Sequence, residues 1–345
     1  MGCLRQSYNL VLISQKNLML LCLFLIAACG QDKSVTDHLK TKTMTRVAQK
    51  EEFGEHGFLS GTMGMTYRDD TLFVPDNNGS RVLCLDSKLQ VTRVIGKPGE
   101  GPGELSMAGM IGFSQGRVFV DSPLNQRLGV FDEQGTFLDW VPTSGLSFRT
   151  RFAVYDEMIF ASSSALEKPI TVIDTSGNRL YQFGEILVGD FFQEKRARNV
   201  KHIGITELSQ QPVIVALGFT EPTLELFSLN GDLLHREWFN DHPMLRLRLD
   251  YVAQQYKNNP ESKKASYQLF DDMEIQGDTL IALVSSLQPP YAFICCRLNT
   301  DKIMIEDVFL VKERMSIQSF AFDGKQHLYL FDGQTSEIQK YRLGI

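Results

Sequence analysis

Cys29 carries the clearest chemistry in this sequence, because a thiol at the end of a short apolar run can be a lipid acceptor. The run Leu18–Ala28 is preceded by Arg5 and Lys16, and no acidic residue stands before Cys29. The segment Ile26-Ala27-Ala28-Cys29-Gly30 resembles the cleavage box of secreted lipoproteins: small residues at the cut, cysteine just after it. The apolar run is too short for a good membrane span, which needs about 20 apolar residues. Cleavage before Cys29 would remove residues 1–28, and diacylglycerol on the sulfur would hold the rest at a membrane. Several acyl chains give stable anchoring where one does not. The competing reading is an ordinary cleaved signal with a chance cysteine. Gly2 suggests myristoylation, but that motif wants Ser or Thr where Gln6 stands.

Other reactive residues form weaker patterns. Gly96, Pro98, Gly99, Gly101, Pro102 and Gly103 make a dense turn-forming run. It lacks the Gly-Lys-Ser/Thr of a phosphate loop and any following helix, and strand leads to strand around it. The favoured reading is a tight connector in which Glu100 or Glu104 accepts bonds from backbone amides. Histidine is confined to His38, His56, His202, His235, His242 and His327, with no H-x-x-x-H spacing. No catalytic residue, metal ligand or cofactor is therefore expected. A channel metal stays open, since such ligands can be gathered from distant segments. Arg81, Arg127 and Lys168 open equivalent strands and would form a basic arc for an anionic glycan or peptide carboxylate. A solvated strand edge is the plainer reading. Of Arg149 and Arg151, one is placed to reach a central channel.

The 345-residue chain has 35 basic and 41 acidic residues, and loss of Arg5 and Lys16 leaves 33 against 41. That balance argues against nucleic-acid binding, which needs a basic footprint. Cys84, Cys295 and Cys296 lie in apolar strand patterns, so buried thiols are favoured over a Cys84–Cys295 or Cys84–Cys296 disulfide.

These residues sit on a repeat. Thr71–Pro75, Arg117–Asp121, Met158–Ala161, Val213–Ala216, Thr279–Ala282 and His327–Leu330 are compact apolar strands. The first five units continue to a strand ending at Asp86, Asp132, Asp174, Ser228 or Asn299, spaced by 46, 42, 54 and 71 residues. Spacings of about 40–45 residues mark four-stranded propeller blades. The wider ones imply insertions at Ile186–Val200 and Asp241–Tyr267, the second with a helix around Tyr251–Lys257. The sixth unit lacks a fourth strand, and Thr41–Val47 is the natural donor, closing the ring and covering two edges. The expected fold is all-β: a six-bladed β-propeller of four-stranded blades over residues 41–345, on a lipidated tether at 29–40.

The run Ile95-Gly-Lys-Pro-Gly-Glu-Gly-Pro-Gly-Glu-Leu105 resembles the hallmark of six-bladed, NHL/TolB-like propeller lipoproteins of the Bacteroidetes. The resemblance spans essentially Thr41–Ile345. It implies a bacterial cell-envelope protein held in the outer membrane by Cys29, facing the periplasm or the surface.

In such a blade order, interblade connections share one face and the turns between third and fourth strands lie on the other. Gly96–Ser106 and the two insertions would gather on one face, and long loops on a rigid scaffold carry function. The expectation is a binding propeller for a protein, peptide or glycan partner, with Arg81, Arg127, Arg149, Arg151, Glu100 and Glu104 as candidate contacts. The alternative is a metal-dependent lyase or lactonase with its site in the channel.

Overall fold

Short runs rich in Val, Ile, Leu and Phe, broken every few residues by Asp, Asn and Gly, can bury themselves only as strands stacked in small sheets. The computed structural model describes residues 41–143, 146, 150–162, 167–187, 200–258, 268–286 and 289–344. Cys29 and Arg149 lie outside them, as does most of Ile186–Val200.

Four sheets have four antiparallel strands each. The first runs Thr66–Arg68, Thr71–Asp76, Arg81–Leu85, Val91–Ile95. The second runs Ile111–Ser114, Arg117–Ser122, Arg127–Asp132, Phe137–Pro142. The third comprises Ala153–Tyr155, Met158–Ser162, Ile170–Asp174 and Arg179–Phe183, and the fourth Lys201–Leu208, Gln211–Gly218, Thr223–Phe227 and Leu233–Trp238. Lys97–Pro98 and Glu104–Leu105 pair as a small parallel sheet, and an eight-stranded sheet holds the remaining strands. Phe270–Gln276, Thr279–Val284, Tyr291–Asn299 and Lys302–Val311 lead to Thr41–Lys50, then Glu337–Leu343, His327–Asp332 and Ile317–Phe322.

The first strands of the sheets lie side by side. Ile111–Ser114 neighbours Ala153–Tyr155, followed by Lys201–Leu208, Phe270–Gln276, Ile317–Phe322 and Thr66–Arg68. The arrangement is all-β and propeller-like, with these inner strands around an axis. Apolar cores fill the spaces between neighbouring sheets, one made by Phe119, Leu128, Phe152 and Ile159 and another by Phe160, Ile170, Ile214 and Phe227.

The N-terminal strand forms the seam. It pairs antiparallel with the last strand from Met44↔Leu343 to Lys50↔Ile338, and parallel with Thr41↔Val308 to Thr43↔Leu310. The expected donor strand is thus three residues longer than Thr41–Val47, and it also joins the preceding strand Lys302–Val311.

Two polar devices repeat. Asp86 Oδ1 accepts from the amides of Lys88 and Gln90, Asp132 Oδ1 from Gln134 and Thr136, and Asp174 Oδ1 from Ser176 and Asn178. Each closes a third-to-fourth-strand turn, and Gly135 takes the positive φ of 88° that its turn requires. A bulge precedes each turn, between Cys84 and Leu85, Val130 and Phe131, and Val172 and Ile173. The second device pins connectors: the amides of Ser60, Ser106 and Ser316 donate to Asp76, Ser122 and Asp332, each 16 residues on.

The helix in the second insertion spans Pro243–Asn258, starting eight residues before the expected Tyr251. Met244, Leu245, Leu249 and Val252 are buried, which anchors its first half and explains the earlier start. Cys84, Cys295 and Cys296 are buried free thiols. No helix among the described residues is long and apolar enough to cross a membrane.

Candidate functional site

A recess of about 360 Å³ follows the axis from Arg151 to the ends of the inner strands. Ile111, Phe113, Val154, Ile203, Ile205 and Ile275 supply apolar side chains, but Thr66, Arg68, Asp69, Arg151, Glu274 and Gln276 also line it, and more of its surface is polar than apolar. Inner-strand residues fill these positions because alternate side chains of a strand point to one side. The recess reaches Asp69 and Gln276, which flank turns between first and second strands, so it opens on the short-turn face.

Arg151 closes its inner end. Nε lies 2.6 Å from Asp272 Oδ1, and Nη1 lies 3.0 Å from Glu274 Oε2. Nη2 donates to Asp272 Oδ2 at 3.1 Å, to the Met65 carbonyl at 2.7 Å and to the Phe320 carbonyl at 3.2 Å. The Arg151 carbonyl accepts from the Ile203 amide at 2.9 Å. One residue thereby ties strands from four other points around the axis. Ser319 extends the network, donating to Asp272 Oδ2 and accepting from the Met65 amide.

Burial alone would weaken the Arg151 charge, but Asp272 and then Glu274 outweigh it and hold the guanidinium protonated. Burial pushes Glu274 up to about 7, against Arg151 and the Thr66 hydroxyl, which donates to Oε1 at 2.6 Å. One buried cation cannot fully compensate two buried carboxylates, so the second holds its proton near neutrality. His202 is pushed down to about 4 by burial, and its Nε2 lies 3.4 Å from the Phe270 carbonyl.

Beside the axis, between the first and second sheets, lies a cleft of about 390 Å³. Arg68, Arg93 and Arg117 line it, with Asp69, Phe73, Phe113 and Glu133. Arg68, Asp69 and Phe113 also border the axial recess, so the two hollows adjoin on the short-turn face.

The residues singled out from sequence are dispersed. Arg81 donates to Asp76 and to the His56 carbonyl. Arg127 lies 3.5 Å over the Trp140 ring and donates to the Glu100 carbonyl at 2.6 Å. Glu104 accepts from the Gly101 amide at 2.9 Å and pairs with Lys97 at 3.2 Å, while the Glu100 side chain is exposed. The bond from Gly101 is the main cause holding Glu104 below its ordinary value. Gly99 takes a φ of 143°, which residues with a Cβ rarely adopt, so its backbone angle requires glycine. Arg81, Arg127 and Glu104 thus hold connectors, and only Arg151 of the described set borders a recess.

Sequence reasoning missed Asp272, Glu274, Arg68, Arg93 and Arg117. Asp272 and Glu274 left a signal, two acids at period two in the strand Phe270–Gln276. The three arginines left none, coming from different strands of two sheets. No group of three or more His, Cys, Asp or Glu side chains among the described residues could hold a metal ion.

No family model matches the sequence, and no curated protein does. Solved structures are similar in fold. A provisionally assigned exported protein of Bacteroides fragilis aligns with a TM-score of 0.55 at 9% identity, over 88% of this chain and 95% of that one. A member of the DUF4221 family from Bacteroides vulgatus gives 0.53 at 12% identity, over 88% and 98%. A Bacteroides thetaiotaomicron protein of unknown function gives 0.54 at 10% identity, over 88% and 76%. At such identities the likeness speaks for the fold alone.

Proposed function

We propose that this chain is an exported, envelope-tethered binding propeller that holds a small ligand with both polar and apolar parts in its axial recess. The observation that carries this reading is the recess itself: preformed, about 360 Å³, lined by both polar and apolar side chains and floored by the fixed Arg151–Asp272–Glu274 cluster. In this reading the eight-stranded sheet is two blades joined by Thr41–Lys50, which makes six blades in all. The tether is the lipid on Cys29, and the location is the outer membrane of a Bacteroidetes-type envelope. The likeness to an exported Bacteroides protein is consistent with export.

Filling the recess tests the reading. Protein purified from its own membranes should carry a small molecule, identified by mass spectrometry, that raises its melting temperature. Ile205→Trp should melt normally and lose both. The same compound bound equally by Ile205→Trp would overturn the axial assignment. Cys29→Ala should move the protein to the soluble fraction, and its persistence in membranes would refute the anchor.

A second reading concerns the opposite face and a partner protein. The insertion helix exposes Leu247 at 45% and Tyr251 at 40%, one turn apart and turned from the core. Crosslinking in cells should yield a protein adduct that Leu247→Asp with Tyr251→Asp abolishes. An unchanged adduct would exclude the helix from the interface.

A further inference from the structure

Every guanidinium in the cleft between the first and second sheets is laid on a phenyl ring. Arg68 lies 5.2 Å over Phe113, Arg93 lies 5.4 Å over Phe73, and Arg117 lies 5.7 Å over Phe119. Phe73 and Phe113 themselves meet edge to face at 4.8 Å. Such stacking fixes a guanidinium by its face and leaves its rim of N–H groups to bond elsewhere.

The three differ in what that rim meets. Arg68 pairs with Asp69 at 3.3 Å. Arg117 pairs with Glu157 at 2.7 Å and bonds Gln115 at 3.1 Å. Arg93 has no ion pair among the described residues, and its Nε is buried without an acceptor. The Nε itself is too buried for an incoming acceptor to reach, so a ligand would bond the terminal N–H groups of Arg93, which are not buried in this way. Glu133, on the outer wall, is exposed and has no ion pair of its own among the described residues. With Glu157 counted, three carboxylates stand against the three arginines, and Arg93 is the one arginine of the three without an ion pair among the described residues, which suits a single carboxylate and disfavours a polyanion.

We propose that this cleft binds the carboxylate of a small organic anion, with Arg93 as its anchor and Arg68 and Arg117 as flanking donors. A planar carboxylate matches the guanidinium rim through paired N–H bonds. The cleft volume of about 390 Å³ leaves room for a body of sugar or small aromatic size. This site differs from the axial recess in position: it lies between sheets instead of on the axis, and Arg93, Arg117 and Glu133 line it and not the recess, although Arg68, Asp69 and Phe113 border both.

The test is calorimetric titration of the full-length protein in detergent with acetate, succinate, D-glucuronate and benzoate. D-glucose serves as the neutral partner of D-glucuronate. At least one carboxylate should bind saturably, and a glucuronate site should favour glucuronate over glucose by tenfold or more. Arg93→Gln should weaken the bound carboxylate at least tenfold. Arg68→Gln, at an exposed position, should weaken it severalfold and keeps the test decisive should Arg93→Gln fold poorly. Ile205→Trp, which fills the axial recess, should leave the affinity unchanged. The proposal falls if no carboxylate binds, if both arginine variants bind as the wild type does, or if Ile205→Trp alone abolishes binding.

Discussion

Arg151 and Arg93 are both arginines in hollows of the same scaffold, yet their surroundings differ in kind. Arg151 meets two carboxylates and two carbonyls, so its donors are met by the protein itself. Arg93 meets a phenyl face and leaves a buried Nε unmatched. A guanidinium saturated by its own chain is scaffold, since a ligand could reach it only by breaking bonds already made. Arg93, with no ion pair among the described residues, is the one the proposed carboxylate would use. Local sequence does not separate the two, because each lies in a short β-rich segment.

The largest effect should come from the seam on which both hollows depend. Deleting Thr41–Lys50 should remove the ladder to Glu337–Leu343 and expose two strand edges, abolishing cooperative unfolding near the wild-type melting temperature. Calorimetry showing a wild-type transition would mean the ring is held without it.

Arg151→Met should come next. It strands Asp272 and Glu274 in a buried site, and breaking a buried pair this way costs about 3–5 kcal/mol. Urea unfolding measures it. A loss under about 1 kcal/mol would remove the distinction between the two arginines from the side of the axis.

Glu274→Gln should have an effect that grows with pH. Folding raises the carboxyl from its ordinary 4.5 to about 7, so the native state holds the proton more tightly. Its contribution is fully present below about 4.5 and is lost as pH rises through 7. Glutamine keeps an acceptor for Thr66 and carries no charge. The variant should therefore gain on the wild type between pH 5 and pH 8, by up to about 3 kcal/mol. A pH-independent difference in melting temperature would show that Glu274 stays ionised throughout.

The smallest effect on stability should be that of Arg93→Gln, within about 0.5 kcal/mol, because it removes no ion pair. A loss as large as that of Arg151→Met would make Arg93 a structural residue and end the contrast.

Much of the scaffold was legible in the sequence. The strands Thr71–Pro75 and Arg117–Asp121 were read to within one residue of the observed Thr71–Asp76 and Arg117–Ser122, because compact apolar runs bounded by polar turn residues have few alternatives. Asp86, Asp132 and Asp174 were read as one repeat position, and they share one hydrogen-bonding role. The helix was misplaced by eight residues because its first turns are fixed by burial of Met244, Leu245 and Leu249, which local pattern conveys poorly. The hollows fared worst. Arg81 and Arg127, read with Lys168 as either a basic arc or a solvated strand edge, bond to connectors, while Arg68, Arg93 and Arg117 drew no notice.

The sequence by itself determined the strands, the turns and the order of sheets, because those follow from period-two burial and from residues that tolerate unusual backbone angles. It also raised the expectation of a lipid on Cys29, a reading that depends only on neighbours a few positions away. The tertiary structure alone decided which charges are spent and which are free. Asp272 lies 121 residues from Arg151, and the cleft joins Arg68, Arg93 and Arg117 from different strands. Whether a charge is met depends on side-chain distances of a few ångströms between such segments, and only closing the sheets around the axis sets those distances.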